Sequence, residues 1–128
     1  MPIDYIVAER FNPVSPEEPR KYYAQQKSRD EVTFREISNV ISERSTVNSI
    51  DITGVIESFV KVIPEFLTAG SIVRLGDFGS FYITIKSSGS DTKEGFKENM
   101  IKEVSIKFRP GKEIKKALKN VTFNRIKG

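Results

Sequence analysis

Neither cysteine nor histidine occurs in the 128 residues. The first absence removes disulfides and thiolate metal sites and agrees with a reducing compartment. The second removes the commonest metal ligand and the usual proton shuttle. Catalysis would have to rest on carboxylates and lysines. The adjacent acidic pairs Glu17-Glu18 and Asp30-Glu31 sit in polar stretches, and sequence neighbours seldom converge on one substrate. Ser80 follows a glycine but leads into a strand pattern rather than a helix, so it forms no nucleophile elbow. No enzyme, metal, cofactor or small-molecule site is expected. There is also no apolar run of about eighteen residues, and Met1-Pro2-Ile3-Asp4-Tyr5 lacks the basic-then-apolar layout of a signal peptide. These absences set the expectation of a cytoplasmic protein without a membrane span.

With 38% hydrophobic residues, a chain of this length supports one compact domain, or one domain and a small extension. Its net charge of +4 is unevenly spread. Residues 1–70 carry 8 Lys and Arg against 11 Asp and Glu, whereas residues 71–128 carry 13 against 6, so the balance moves from −3 to +7. A basic half attracts phosphate backbones, anionic membranes or acidic proteins through one Coulombic term, and charge alone selects none of them.

Periodicity divides the chain further. Ile3 to Phe11 reads as a strand partly covered on both faces. Asn12 to Pro19 holds three prolines and is a loop, a connector rather than a polyproline ligand. Tyr22 to Gln26 should pair back as a hairpin. Thr33 with Glu36 forms a capping box, and Val32 with Ile37 a hydrophobic staple, at the start of a helix over 34–44 whose apolar stripe is Phe34, Ile37 and Ile41, with Ser38 outside it. A longer helix is expected from Asp51, with Ile52, Val55, Ile56, Phe59, Ile63, Phe66 and Leu67 on one face, a kink ahead of Pro64 and a stop at Gly70.

Beyond Gly70 the period falls to two. Strands are expected over 71–75, 81–86 and 104–109, then a short helix over 112–120 burying Ile114, Ala117 and Leu118, and a closing strand over 121–126. In the segment 87–101, Thr92 can cap one helical turn that brings Phe96 and Met100 together. Lysines 112, 115, 116 and 119 share one helix face, which is either a solvated surface or a phosphate contact. Lys107 and Arg109 project from one side of their strand, and a regular register adds Lys86. Phe78 and Phe81 suit core packing better than base stacking, and Phe96 or Met100 either holds its own turn or wedges between base steps.

Two stretches bracket this segment: Leu75-Gly76-Asp77-Phe78-Gly79-Ser80-Phe81 and Phe108-Arg109-Pro110-Gly111-Lys112-Glu113-Ile114. Together they resemble the HU and integration-host-factor family of bacterial nucleoid proteins, which carry a Leu-x-Gly-Phe-Gly-x-Phe turn and a Phe-x-x-Gly-Lys-x-Leu junction. The similarity covers Val32 to Asn120, and the flanking segments look like the longer HU-HIG subgroup. The resemblance implies an α+β, HU-like fold: two N-terminal helices, a three-stranded antiparallel sheet with an arm, and a short C-terminal helix. To these the sequence adds an N-terminal β-hairpin (1–31) and a C-terminal strand (121–128) packing with it, on either side of the domain at 32–120. It further implies a nucleoid-associated homodimer bound to double-stranded DNA, largely through phosphates, which it organises or bends. The contacts would come from Lys86, Lys93, Lys97, Lys102, Lys107, Arg109, Lys112, Lys115 and Lys116. Two departures stand out. The family's arm tip Arg-Asn-Pro-x-Thr-Gly is missing between Lys86 and Val104, which removes the intercalating proline, and Asp77 occupies the turn's first glycine position, tolerable if Asp adopts a left-handed conformation. The alternative is a scaffold module that keeps the fold and has lost DNA.

Overall fold

A computed structural model describes residues 1–27 and 29–127 and divides the chain into two compact units. One unit comprises Val32–Lys116, and the other Met1–Glu31 with Ala117–Gly128. The architecture is α+β.

In the larger unit, helix α1 spans Phe34–Glu43 and α2 spans Ser49–Thr68. Thr33 caps α1 as its spacing predicts, its hydroxyl accepting the Glu36 N–H at 3.4 Å. Val32 and Ile37, the expected staple, are both exposed. Ser38, expected outside the apolar stripe, is instead fully buried; its hydroxyl donates to the Phe34 carbonyl at 2.7 Å, and this bond within the helix lets a polar side chain sit inside. Helix α2 starts two residues before the expected Asp51, because Asn48 is the cap and accepts the Asp51 N–H at 2.9 Å. Pro64 lies within the helix without ending it. The stop comes at Gly70, where Gly70 N–H bonds the Leu67 carbonyl and Ser71 N–H the Phe66 carbonyl, a Schellman closure.

Strands β3 (Val73–Arg74), β4 (Gly79–Ser87) and β5 (Ile101–Pro110) form an antiparallel sheet in that order. The turn into β4 is a single 3-10 turn over Gly76–Phe78. Its left-handed residue is Gly76, with φ 55°, and among the described residues no non-glycine has positive φ, so Asp77 needs no left-handed conformation. Gly79 and Gly111 are required by close approach. A Cβ on Gly79 would stand 2.6 Å from the Arg109 carbonyl oxygen and 2.7 Å from the Phe108 ring, and one on Gly111 would collide with the Asp77 carbonyl. Both signature stretches thus meet at one point, sealed by Gly111 N–H bonding the Phe78 carbonyl at 2.9 Å. Phe108 stacks against Phe81 at 4.7 Å and Phe78 at 5.7 Å, so these rings pack on one another.

Helix α3 covers Lys112–Leu118. It ends before Lys119, and Ala117 and Leu118 are exposed rather than buried; only Ile114 is half-buried. The core of this unit is thin. Among the described residues the buried hydrophobics are Ile52 and Leu67, while Val55, Phe59 and Phe66 on α2 and Ile85, Val104 and Ile106 on the sheet all remain exposed.

The smaller unit is a second three-stranded sheet, ordered β2-β1-β6. Strands β1 (Ile3–Arg10) and β2 (Lys21–Gln26) make the expected hairpin, and β6 (Phe123–Arg125) runs parallel to β1. Tyr5 meets the Phe123 ring edge-on at 6.5 Å, and Asn124 donates to the Asp4 carboxylate at 3.1 Å. This last strand is shorter than the expected 121–126.

Candidate nucleic-acid interface

The register of β4 against β5 sorts their side chains onto two unlike faces. Phe81 pairs with Phe108, Ile83 with Ile106 and Ile85 with Val104, giving an apolar face. On the opposite face Ser80 pairs with Arg109, Tyr82 with Lys107, Thr84 with Ser105 and Lys86 with Glu103. Lys86, Lys107 and Arg109 therefore share a face, as the alternation predicts. Arg74 joins them, because it is paired with Ser80 on β3. The expected strand 71–75 held Arg74 but gave it no partner; its side follows from the pairing with Ser80, which lies in β4 ahead of the expected start at 81.

This face is built for anions. Arg74 and Arg109 line one hollow of about 150 Å³ together with Ile72, Ser80 and Tyr82. The Arg109 guanidinium lies 5.9 Å from the centre of the Tyr82 ring, which holds it in place by a cation–π contact. Its one carboxylate, Glu103, accepts from the Ser105 hydroxyl at 3.0 Å and stands opposite Lys86. Four cations, hydroxyls and a tyrosine against one acid make a surface complementary to a polyanion.

The other expected positions are less concentrated. The ladder shifts register beyond Lys86, where Ser87 pairs with Ile101, leaving Lys102 as the extra residue of a β-bulge. Lys93 and Lys97 lie in the connection between β4 and β5, interspersed with Asp91, Glu94 and Glu98. There Thr92 accepts the Gly95 N–H at 3.0 Å, but the residues after it form a plain turn and the arm's helical turn lies further on, at Glu98–Met100, where Lys97 N–H points at the Met100 sulfur at 3.3 Å. Phe96 is 40% exposed on this turn. Lys112, Lys115 and Lys116 are exposed on α3, directly after β5.

Partition by structure also changes the charge reading. The larger unit holds 13 basic and 11 acidic residues and the smaller unit 8 and 6, so each carries +2. The polarity expected between halves of the chain lies inside the larger unit. Its residues 32–70 hold 3 basic against 5 acidic residues, and residues 71–116 hold 10 against 6.

Comparison with known proteins agrees with this architecture. The chain is 29% identical over 86 residues to integration host factor subunit alpha of Colwellia psychrerythraea (strain 34H / ATCC BAA-681), a match covering 66% of this chain and 89% of that protein. A crystal structure of a candidate bacterial DNA-binding protein from Bacteroides vulgatus ATCC 8482 superposes with a TM-score of 0.67 at 12% identity, a likeness of fold. It covers 98% of this chain and 48% of the other, so the chain spans about half the length of that protein. The family model for HU-HIG, described as an HU domain fused to a wHTH, Ig or glycine-rich motif, matches residues 1–125, and the chain belongs to that family.

Proposed function

We propose that this protein binds double-stranded DNA mainly through the phosphate backbone, with little sequence preference, and organises or gently bends it as a dimer in the cytoplasmic nucleoid. The observation that carries this reading is the polar sheet face: Arg74, Lys86, Lys107 and Arg109 in register, opposed by the single carboxylate of Glu103. Cations of this kind position a duplex and release counterions without reading base edges. The relatives named above, one an integration host factor subunit, support DNA as the polyanion. Residues 32–120 act as the DNA-binding part, with 1–31 and 121–128 as an accessory sheet. Lys93, Lys97 and Lys102 extend the contact along the arm, and Lys112, Lys115 and Lys116 extend it beyond β5.

Dimerisation follows from the thin core. A unit that buries two hydrophobic side chains and exposes Val55, Phe59, Phe66, Ile85, Val104 and Ile106 gains most from covering them with a second copy. The arm has no proline between Lys86 and Val104, which argues against sharp kinking by the residue the wider family uses.

The test is duplex affinity at two ionic strengths. Contact with about six phosphates costs orders of magnitude in affinity between about 50 and 200 mM salt. Absence of measurable duplex binding at the lower salt would establish the other reading, a scaffold module that keeps the fold without DNA.

A further inference from the structure

The outer strand of the smaller sheet is unprotected. β2 lies at the sheet edge, and all six of its residues, Lys21 to Gln26, are exposed. Its backbone orientation follows from one bond: Lys27 N–H donates to the Asp4 carbonyl at 2.9 Å, so Asp4 and Lys27 are a hydrogen-bonded pair of the β1–β2 ladder. Alternation turns the backbone groups of Lys21, Tyr23 and Gln25 toward β1 and those of Tyr22, Ala24 and Gln26 outward. Three donors and three acceptors thus line the free edge.

Soluble proteins blunt such edges with proline, a bulge or charged side chains, lysine above all. β2 has no proline or bulge within its span and one charge, Lys21 at its first residue; it reads Lys-Tyr-Tyr-Ala-Gln-Gln in regular register with β1. It presents tyrosines on both faces, Tyr22 at 68% and Tyr23 at 51% exposure.

We infer that β2 is a self-association edge, pairing antiparallel with β2 of a second copy about a two-fold axis through Ala24. This register satisfies every outward group: Ala24 exchanges both bonds with its mate, and Tyr22 exchanges both with Gln26. Tyr23 then stands beside Gln25, and both tyrosines gain a cover. No carboxylate or proline meets the central pairs. Lys21 comes opposite Lys27 only at the two ends, where like charge stops the ladder from lengthening. A copy of the same strand suits this edge better than a charged peptide, because the central pairs are neutral and the match is two-fold symmetric. The result is a continuous six-stranded sheet that links two copies through surfaces separate from the apolar faces of the larger unit.

The experiment is done on the full chain without DNA, so its outcome is independent of DNA binding. Ala24→Pro removes a donor that points away from β1, a place where an edge strand tolerates proline, and deletes two symmetry-related bonds. Ala24→Lys keeps every donor but sets two ammonium groups against each other across the axis. In sedimentation or light scattering over a concentration series, the mean mass of wild type should rise with concentration beyond that of both variants, whose association through this edge should be about thirtyfold weaker. The chain has no cysteine, so Ala24→Cys reports the register directly. Its mate's Cα would stand about 5.5 Å away, within disulfide reach, and mild oxidation should link the two copies. Equal masses for wild type and both variants would overturn the inference, as would a position-24 thiol that stays reduced while wild type associates.

Discussion

Arg74 illustrates how a single side chain gains meaning from its neighbours. Alone it is one cation in Ile72-Val73-Arg74-Leu75; paired with Ser80 it becomes the second guanidinium beside Arg109. Arg74→Ala and Lys107→Ala should each weaken duplex binding to a similar degree on unrelated sequences and flatten the salt slope by about one unit, measured by titration at several ionic strengths. An unchanged slope would remove that residue from the interface. Glu103→Gln should act in the opposite sense, tightening binding, because it removes the only carboxylate among the paired residues of this face. Gly79→Ala tests stability rather than binding: at φ 147°, with the Arg109 carbonyl and Phe108 ring in the way, the added methyl should cost about 2 kcal/mol or more in denaturant unfolding. At this scale the lysine positions were legible because alternation along a strand is regular. The burial of Ser38 and the exposure of Leu118 were not, since each depends on what the rest of the fold sets against that turn of helix.

Among the elements, helix ends were read best where a cap and an apolar stripe coincide. Thr33 sits three residues before Glu36 and next to Phe34, and α1 begins there. Asn48 was hidden in the polar run Ser45 to Ser49, where any of several residues could cap and only backbone geometry selects one. Asn48→Ala should therefore cost about 1 kcal/mol, read as a lowered denaturation midpoint with an unchanged slope. The sheet order β3-β4-β5 followed from two-residue periodicity and the glycine turn. The bulge at Lys102 did not, because a one-residue slip leaves both flanking patterns intact. In the arm, local chemistry gave the Thr92 hydroxyl its bond to an N–H three residues on, but not the place of the helical turn, which forms at Glu98–Met100 instead.

For the whole molecule, the deciding fact is how little of the larger unit is buried. Phe59→Asp should give monomer or insoluble chain in size-exclusion chromatography with light scattering, and a well-folded dimer would show that α2 does not face the second copy. The wide apolar stripe on α2 was visible in the sequence, and the resemblance supplied its reason. The sequence already set the C-terminal strand against the N-terminal hairpin; what no local pattern specifies is that β6 runs parallel to β1. Charge counted by halves of the chain obscured the balance of that unit, since it draws basic residues from both.

That pairing also has a consequence for the order in which the protein takes shape. Asp4 and Asn124 are 120 positions apart yet hydrogen-bonded, and Ile3 takes its backbone acceptor from Thr122. During synthesis the hairpin of β1 and β2 emerges well before β6, but two strands alone are marginal in water. It must wait, with one flank of β1 bare, until the residues between it and β6 have left the ribosome. Nascent chains stopped before residue 121 should accordingly be cut by protease within the hairpin, and those extended through Ile126 should resist, which makes the last strand the latch on the first.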